Sequence, residues 1–424
     1  MNTLKEIYQD NEERNFIDPS LYSRYRVKAG LRNDNGTGVK VGLTKICDVI
    51  GYKIIHEKKY NIDGQLIYRG YPINYLVNKQ PSDKICGFEE TAYLLIFGTL
   101  PNADQLKTFK DYLLNFKMGP VDLQYETPNI LNALQIEVLK LYAKDPSADT
   151  DDLEERMMKG LKILASIPLF TFSYARNKVF KSYPYPDRSL AENILCMARG
   201  NDQYTFEEAK IMDTLLMIHA DHGGGNNSTF ANVVISSTGT DIYSCISAAI
   251  GSLKGPKHGG ANCKVTNMFK AIFHEVGFTT DQTTLKKIAN RILDKDFFDH
   301  SGLIYGIGHA IYTKSDPRAL LIHEQCEALA KSKGQEEIYN CIHAFEKVAI
   351  EVMKERKGID VCANVDYYSG YVYSLLGIEA DLFTPLFAIS RTAGWVSHHL
   401  ENRQSNRKLI RPANVYVGEM EEIK

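Results

Sequence analysis

The sequence predicts a mainly α-helical protein with a small β element near its N-terminus. Capping boxes begin helices at Ser189 and Thr205, since in each a hydroxyl and a glutamate carboxylate three residues later satisfy backbone amides. Apolar residues recur at helical spacing from Asp241 to Leu253, and Gly255 then ends the pattern. Clear strand signals occur only near the N-terminus, which places the chain in the mainly α class.

The predicted β element is a hairpin. The segments Tyr52–His56 and Leu66–Arg69 have the composition of strands. Between them lies Asp63-Gly64, a dipeptide suited to a turn that needs positive φ. The sequence therefore predicts a hairpin that contains this turn.

Helices joined by short loops are predicted for the rest of the chain. The helix from Asp241 carries many small side chains, which would let a neighbouring backbone approach closely and which indicate a buried position. A mainly helical protein has no crevice at strand ends, so a ligand site should lie between helices or between domains. Further predicted helices span 87–98, 104–116, 153–165, 283–294, 317–332, 336–356, 367–376 and 383–401.

Composition narrows the class of protein. The 424 residues include 50 Lys plus Arg against 52 Asp plus Glu and are 44% apolar, which predicts two or three globular domains. A net charge of −2 excludes the basic excess of a general nucleic-acid binder. No apolar stretch approaches the ~20 residues that span a bilayer. The N-terminal segment is acidic and unlike a secretory signal, so we expect a cytoplasmic protein with no nucleic-acid or membrane partner.

The eight cysteines are spread singly, without a Cys-x-x-Cys pair. This spacing argues against a disulfide framework and is typical of buried thiols in a reducing compartment. None of them resembles a catalytic nucleophile.

The segment His219–Thr229 carries two histidines on one helical face, followed by three glycines. A zinc site on His219 and His222 is one interpretation, although the His-Glu-x-x-His arrangement and a third nearby ligand are absent. Structural histidines stabilised by a helix C-terminus are another. The glycines favour a functional loop.

A second loop, Lys254–Asn262, surrounds His258 with one proline and three glycines. These residues remove side-chain bulk from around the imidazole, which indicates that another group approaches it closely. A plain turn residue is the alternative, and the GxxxxGK[ST] pattern of a phosphate-binding loop is absent.

A third loop reaches His309 through Gly306 and Gly308 and continues to Arg318 at a predicted helix start. Further on, Asp366 lies among apolar and aromatic residues, where partial desolvation would raise the basicity of its carboxylate. A helix N-cap is the alternative interpretation of this aspartate.

An aspartate and two histidines together can supply a base, a proton donor and an electrophile, a combination suited to carbanion chemistry beside a carbonyl. Planar, bidentate hydrogen-bond donors, which are the preferred partners of small carboxylates, are added by Arg318, Arg391 and Arg411. Taken singly, each arginine would more often belong to a surface ion pair.

In their order along the chain, these motifs resemble the citrate synthase family. The resemblance implies a mainly helical homodimer whose large and small domains close over oxaloacetate and acetyl-CoA and release citrate and CoA, with no further cofactor and no metal. The related 2-methylcitrate synthases use propionyl-CoA, and the motifs do not separate the two. A catalytically silent regulator of the same fold is the alternative from another class. The matching motifs are Tyr68–Pro72, His219–His222, Gly255–Asn262, Gly306–His309, Asp316–Arg318 and Asn364–Gly370.

The resemblance also implies a role for each matching residue. Asp366 would remove a methyl proton from the acetyl group, His258 would stabilise the resulting enol or enolate, and His309 would polarise and protonate the ketone of oxaloacetate. The implied oxaloacetate ligands are His222, Arg318, Arg391 and, from the second subunit, Arg411, and the implied CoA contact is Lys314.

Two positions depart from the family pattern. Gly223 stands where many members carry an acidic residue, which leaves the support of His222 open, and Ala310 stands where many bacterial members carry arginine. Neither change removes a proposed catalytic group, and allosteric regulation is left open. The implied domains are an N-terminal segment, 1–75, a large helical domain, 76–262 with 377–424, and a small helical domain, 263–376.

Overall fold

In a computed structural model, the described part of the chain comprises residues 16–56, 58–119, 127–405 and 408–418, with the single residues 9, 121 and 123. The chain divides into two compact units, residues 1–42 with 410–424 and residues 43–409. The described part of the first unit holds helix α1, Ser20–Arg24, and a 3-10 turn at Ala29–Leu31. The second unit holds the sheet and the helices described below, and the division into a large and a small domain stays a prediction.

The second unit begins with a three-stranded antiparallel sheet. Strand β1 spans Cys47–Ile55, β2 spans Lys58–Tyr68 and β3 spans Tyr71–Pro72. The predicted N-terminal hairpin is therefore present as β1 and β2, and its strands are longer than the sequence pattern indicated.

The prediction that Asp63-Gly64 forms the turn of this hairpin is wrong. The chain reverses after β1 instead, where His56 has a φ of 47°. The pairing shifts between Ile50 and Tyr52, so residues 62–64 bulge out of β2. Neither Asp63 nor Gly64 has a positive φ, so the backbone angles expected of a turn are not used here, and tertiary contacts decide that the dipeptide lies in a bulge.

The helices that follow begin where the sequence provides caps. The side chains of Ser189 and Thr205 accept from the amide three residues on, and both predicted capping boxes are confirmed. Asp241 caps its helix as predicted. These helices are α2, Ile73–Asn78; α3, Gly87–Phe97; α4, Ala103–Leu114; α5, Ile130–Ala143; α6, Leu153–Ala175; α7, Leu190–Arg199; α8, Phe206–His219; α9, Asn227–Ser236; and α10, Ile242–Leu253.

Apart from the helix at Ala261–Val276, which was not predicted, the C-terminal helices agree with the predicted segments to within a few residues, and the helix predicted at 317–332 is reproduced at both ends. They are α11, Ala261–Val276; α12, Gln282–Leu293; α13, Pro317–Ser332; α14, Glu336–Lys357; α15, Val365–Leu375; and α16, Phe383–Gln404.

Some helical structure went beyond the prediction. The segment predicted to end at residue 165 continues through Pro168 to Ala175. Helix α9 is rich in Asn, Ser, Thr and Val, which are weak helix formers, and it is stabilised by packing against α10 and α16. The start of α11 has no side-chain cap, since its N-cap is Gly260.

Helix α16 is the centre of the core. Trp395 and most other side chains of this helix are buried, and the helix packs against α3, α6, α8, α9 and α10. One of its buried side chains is Arg391. A cation is thus held rigidly inside the main hydrophobic core.

The described part of the chain contains all eight cysteines, and none of them forms a disulfide. Six of the eight are buried, as small apolar side chains would be. No described helix is long and apolar enough to span a bilayer.

Candidate active site

The loops that carry His309 and Asp366 are bonded to each other. Ile307 and Ala363 form an isolated antiparallel bridge. Two backbone hydrogen bonds of 2.8 Å flank this bridge. Two motifs that are far apart in sequence are therefore joined into one structural unit.

Glycines and an asparagine make this junction possible. Gly306 and Gly308 have φ values of 82° and 99°, and a Cβ on Gly306 would lie 2.8 Å from the ring of Tyr367. The side chain of Asn364 donates to the Gly308 carbonyl at 2.8 Å and accepts from the Asp366 amide at 3.0 Å. Asn364, not Asp366, is therefore the N-cap of α15, and the carboxylate of Asp366 has no capping role.

The carboxylate of Asp366 is less acidic than an ordinary aspartate. Burial raises its pKa to about 6, although Arg318 and Arg391 act in the opposite direction. A carboxylate with a pKa near neutrality is ionised at pH 7 and is still a competent base.

The tautomer of His309 follows from its backbone contacts. The amides of Ile311 and Tyr312 both donate to Nδ1 of the ring at 3.1 Å. Because a backbone N–H can only donate, Nδ1 carries no proton and the neutral ring holds its proton on Nε2. Nε2 is thus the atom from which His309 can donate.

His222 and His309 contact each other edge to face, with ring centroids 5.1 Å apart. His222 is buried, and its Nε2 atom has no hydrogen-bond partner among the described residues. Burial, together with the positive charge of Arg318 and of other nearby groups, holds its pKa well below the ordinary value. A neutral imidazole is thus available for a ligand.

Two residues that the sequence analysis missed hold His258 in place. Nε2 of His258 lies 3.2 Å from the Ser228 hydroxyl, which also accepts from the indole N–H of Trp395 at 3.2 Å. Burial lowers the pKa of His258 to about 4, so the ring is neutral at physiological pH. The only sequence signal for Ser228 was its place in the glycine-rich loop after His222.

Two buried arginines approach the site, but they differ in their partners. The guanidinium of Arg318 bonds the carboxylate of Asp316 at 3.0 and 2.7 Å. Arg391 donates from Nε to the His219 carbonyl at 2.7 Å. Its two terminal nitrogens are buried and have no partner among the described residues. Arg391 can therefore bind a carboxylate in a bidentate geometry, with one hydrogen bond donated from each terminal nitrogen.

Two carboxylates of this region are bonded to groups other than Arg391. The carboxylate of Asp316 accepts from Arg318, and that of Asp221 accepts from Nε2 of His398 at 3.0 Å. The guanidinium of Arg391 thus has no carboxylate bonded to it within the described part of the chain. A carboxylate of a ligand could therefore bond the guanidinium of Arg391.

The departure at Gly223 has a structural reason. Gly223 has a φ of 77°, and a Cβ there would lie 3.2 Å from Val49 of the hairpin. The Gly223 amide is 3.4 Å from the carboxylate of Asp221, which is bonded to His398. Position 223 thus has no room for a side chain without displacing Val49, and the carboxylate next to His222 is that of Asp221.

Other predicted residues lie elsewhere. His219 donates from Nδ1 to the Leu215 carbonyl, and its role in this structure is to hold Arg391 through its own carbonyl. Lys314 is exposed, and Arg411 is an exposed residue of the first unit. No group of three or more His, Cys, Asp or Glu in the described part of the chain is arranged to hold a metal ion.

Comparison with known proteins gives consistent matches. A family model described as citrate synthase, C-terminal domain, matches residues 33–413. The citrate synthase of Haloferax volcanii is 37% identical over 386 residues, which cover 87% of this chain and 94% of that protein. The 2-methylcitrate synthase 1 of Corynebacterium glutamicum is 33% identical and covers 83% of this chain and 89% of its own length.

Solved structures agree. Citrate synthase of Thermoplasma acidophilum in a ternary complex with carboxymethyl coenzyme A and oxaloacetate has a TM-score of 0.76 and 26% identity, over 94% of this chain and 98% of that one. Citrate synthase of Thermotoga maritima has a TM-score of 0.74 and 28% identity, with the same coverage.

Proposed function

The chain belongs to the citrate synthase family, and we propose that it condenses acetyl-CoA with oxaloacetate and water to give citrate and CoA. The observation that carries this proposal is the junction of the loops of His309 and Asp366, which the Ile307–Ala363 bridge holds together beside Arg318 and Arg391. The bridged loops bring His309 to the same site. Enolisation beside a dianion of the size of oxaloacetate requires a base, a neutral imidazole and two guanidiniums.

In this proposal Asp366 takes a methyl proton from the acetyl group. The α-carbon of a thioester is far less acidic than a carboxylic acid, and each unit of pKa mismatch costs about 1.4 kcal/mol. His258 reduces that cost by donating a hydrogen bond to the developing enolate oxygen. A neutral imidazole can do this without becoming a full acid.

The carbon nucleophile then attacks the ketone of oxaloacetate, and His309 donates from Nε2 to the ketone oxygen. His222, Arg318 and Arg391 bind the substrate. The resulting citryl-CoA thioester is hydrolysed by water, which releases CoA. Lys314, which is exposed, is proposed to contact the CoA phosphates.

Ser228→Ala should lower kcat by about 10- to 100-fold, because His258 would lose the hydroxyl that orients it. The Ser228 oxygen is 2.9 Å from Asn226 and 3.2 Å from His258, so its one hydrogen serves one of these acceptors at a time. We expect the KM for oxaloacetate to change less than ~3-fold, since the arginines are untouched. Ser332→Ala, which removes a hydroxyl bonded to the Leu329 carbonyl at the end of α13, is the control. An unchanged kcat in Ser228→Ala would contradict this role.

The pH dependence of kcat/KM should show an acid limb near pH 6. Burial raises the pKa of Asp366 to about 6, and only the ionised carboxylate can take a proton. Activity should therefore fall as pH drops through about 6 and level off above it. His258, with a pKa lowered to about 4, stays neutral over this range. Initial rates across this pH range test the expectation, and a profile that stays flat below pH 5 would speak against Asp366 as the base.

The test of the function is release of free thiol from acetyl-CoA, which we expect only when oxaloacetate is present. Propionyl-CoA is the second substrate to compare, because the matches include 2-methylcitrate synthases and one methylene changes selectivity by only ~10- to 200-fold. A larger kcat/KM with acetyl-CoA supports the proposal. A larger value with propionyl-CoA would assign 2-methylcitrate synthesis, and no release with either would favour a silent protein of this fold.

We propose that the active form is a homodimer in which Arg411 of a second copy completes the oxaloacetate site. Helix α5 supports the dimer, since Ile136, Leu139 and Tyr142 expose apolar surface along one face, with Leu139 44% exposed. Gel filtration with light scattering should give twice 47.9 kDa, and Leu139→Glu should shift the protein toward the monomer.

Mixing two inactive variants tests the shared site. In a mixed dimer of Arg411→Ala and Asp366→Asn chains, one site would combine an intact Asp366 with an intact Arg411 from the other chain. Activity should return on subunit exchange if the arginine is shared, and it should not return if each chain supplies its own.

We further propose that the reaction needs no added cofactor or metal and takes place in the cytoplasm. The buried, unpaired thiols support a reducing compartment. Activity should therefore survive dialysis against a chelator, and loss of activity that zinc restores would revive the zinc interpretation of His219 and His222.

A further inference from the structure

The N-terminal hairpin lies directly against the loop that carries His309. A Cβ on Gly51 of β1 would clash with the backbone carbonyl of Ile311, and a Cβ on Gly64 in the bulge of β2 would clash with that of Ser315. The Gly64 amide also donates to the Ser315 hydroxyl at 3.1 Å. Both glycines are thus required for the close approach of the hairpin to the loop.

Tyr312 is the residue that the contact between the hairpin and the loop holds in position. A Cβ on Gly64 would lie 2.6 Å from its ring, and its hydroxyl donates to the Gln65 carbonyl at 3.3 Å. The side chain is completely buried. The backbone of the bulge therefore packs directly against the side chain of Tyr312.

Tyr312 in turn holds His309. Its ring stacks on the imidazole with centroids 4.6 Å apart and planes 22° apart. Its own amide is one of the two donors to Nδ1 of His309. One residue thus constrains both the ring plane and the tautomer of His309, and it also contacts His222 at 5.7 Å, edge to face.

We propose that Tyr312, seated by the bulge at Gly64, is a positioning residue that aims Nε2 of His309 at the ketone of oxaloacetate. This inference rests on the proposed function, because it assigns the ketone as the target of His309. It also explains why Asp63-Gly64 is a bulge: the dipeptide allows the close backbone approach that a regular strand with side chains would prevent.

Tyr312→Leu keeps an apolar side chain but removes the stacked ring, and we expect kcat to fall ~30- to 100-fold. The KM for oxaloacetate should rise by a smaller factor, because the ring also contacts His222 and the guanidinium of Arg318. Tyr312→Phe keeps the stack and should retain at least ~30% of kcat. Gly64→Ala retains Tyr312, but the added Cβ would displace both the Tyr312 ring and the Ser315 backbone, and it should lower kcat ~10-fold. Tyr60→Leu, an exposed change on the same hairpin, and Gly42→Ala, where a Cβ meets no atom within 4 Å, are the matched controls.

The decisive readout is the 13C resonance of the ketone carbon of bound, labelled oxaloacetate, which reports polarisation by a donor. In Tyr312→Leu this resonance should move toward its position in free oxaloacetate, whereas in Tyr312→Phe it should stay near the wild-type position. Wild-type kcat and resonance in Tyr312→Leu would overturn the inference. If that variant does not fold, Gly64→Ala decides by the same two measurements. A wild-type protein that releases no thiol would instead overturn the proposed function.

Discussion

Asp366→Asn should lower kcat by about three orders of magnitude and leave oxaloacetate binding within ~3-fold of the wild type. The amide has the size of the carboxylate but cannot take a proton, and proton transfer by a positioned side chain contributes ~10²- to 10⁴-fold. The cap of α15 is not disturbed, because it is made by Asn364. Thiol release and exchange of acetyl methyl hydrogens with deuterated water measure the loss. Asp360→Asn, an exposed change just before this helix, is the control.

The same substitution should stabilise the fold above pH 6. The pKa of Asp366 is raised to about 6 from 3.8, so the folded state binds the proton more tightly than the unfolded state. Stability from this group is fully present below pH 4 and is lost as pH rises through about 6, by roughly 2–3 kcal/mol. Asparagine removes this loss. The free energy of unfolding in urea, variant minus wild type, should be larger at pH 8 than at pH 5.

An Asp366→Asn protein that retains a tenth of the wild-type kcat would contradict the role of Asp366 as the base.

Local rules were enough for elements whose signals lie within a few residues. The caps at Ser189, Thr205 and Asp241 were predictable because donor and acceptor are three residues apart. The bulge at Asp63-Gly64 was not, because it is decided by the approach of Ser315, about 250 residues away. Gly64 does not have a positive φ; it is required because the Ser315 backbone and the Tyr312 ring leave no room for a Cβ, and this contact has no signal in the local sequence.

The residues of the candidate site likewise fall into those that local sequence could predict and those that it could not. The charged and imidazole groups were predictable, since glycine-rich loops and isolated carboxylates leave a sequence signal. Ser228 and Trp395 were missed because the contact between them, which supports the bond from Ser228 to His258, is made by helix packing across 167 residues of sequence. Tyr312 lies in the loop between His309 and Arg318, but its stacking on His309 has no signature in the sequence. The groups that hold a reactive side chain in place are therefore the part that needed the structure.

Arg391→Ala should raise the KM for oxaloacetate by about 30- to several thousand-fold, which corresponds to roughly 2–5 kcal/mol. The terminal nitrogens of Arg391 are buried without a partner among the described residues, so the free protein already bears the cost of desolvating them. A substrate carboxylate would recover that cost through two charge-assisted hydrogen bonds. Arg391→Lys should restore little of the affinity, since an ammonium lacks the planar fork.

Removal of Arg318 should have a different effect from removal of Arg391. Arg318 already bonds Asp316, so its loss would leave a buried carboxylate unpaired and should lower stability as well as binding. Arg391 bonds the His219 carbonyl through Nε, so its loss should affect binding more than stability. Arg403→Ala, which removes a cation of α16 that pairs with the exposed Asp151, should change KM by less than ~2-fold. An Arg391→Ala protein with a KM within ~5-fold of the wild type would show that the carboxylate binds elsewhere, because no other described guanidinium near His222 is both buried and without a counter-ion.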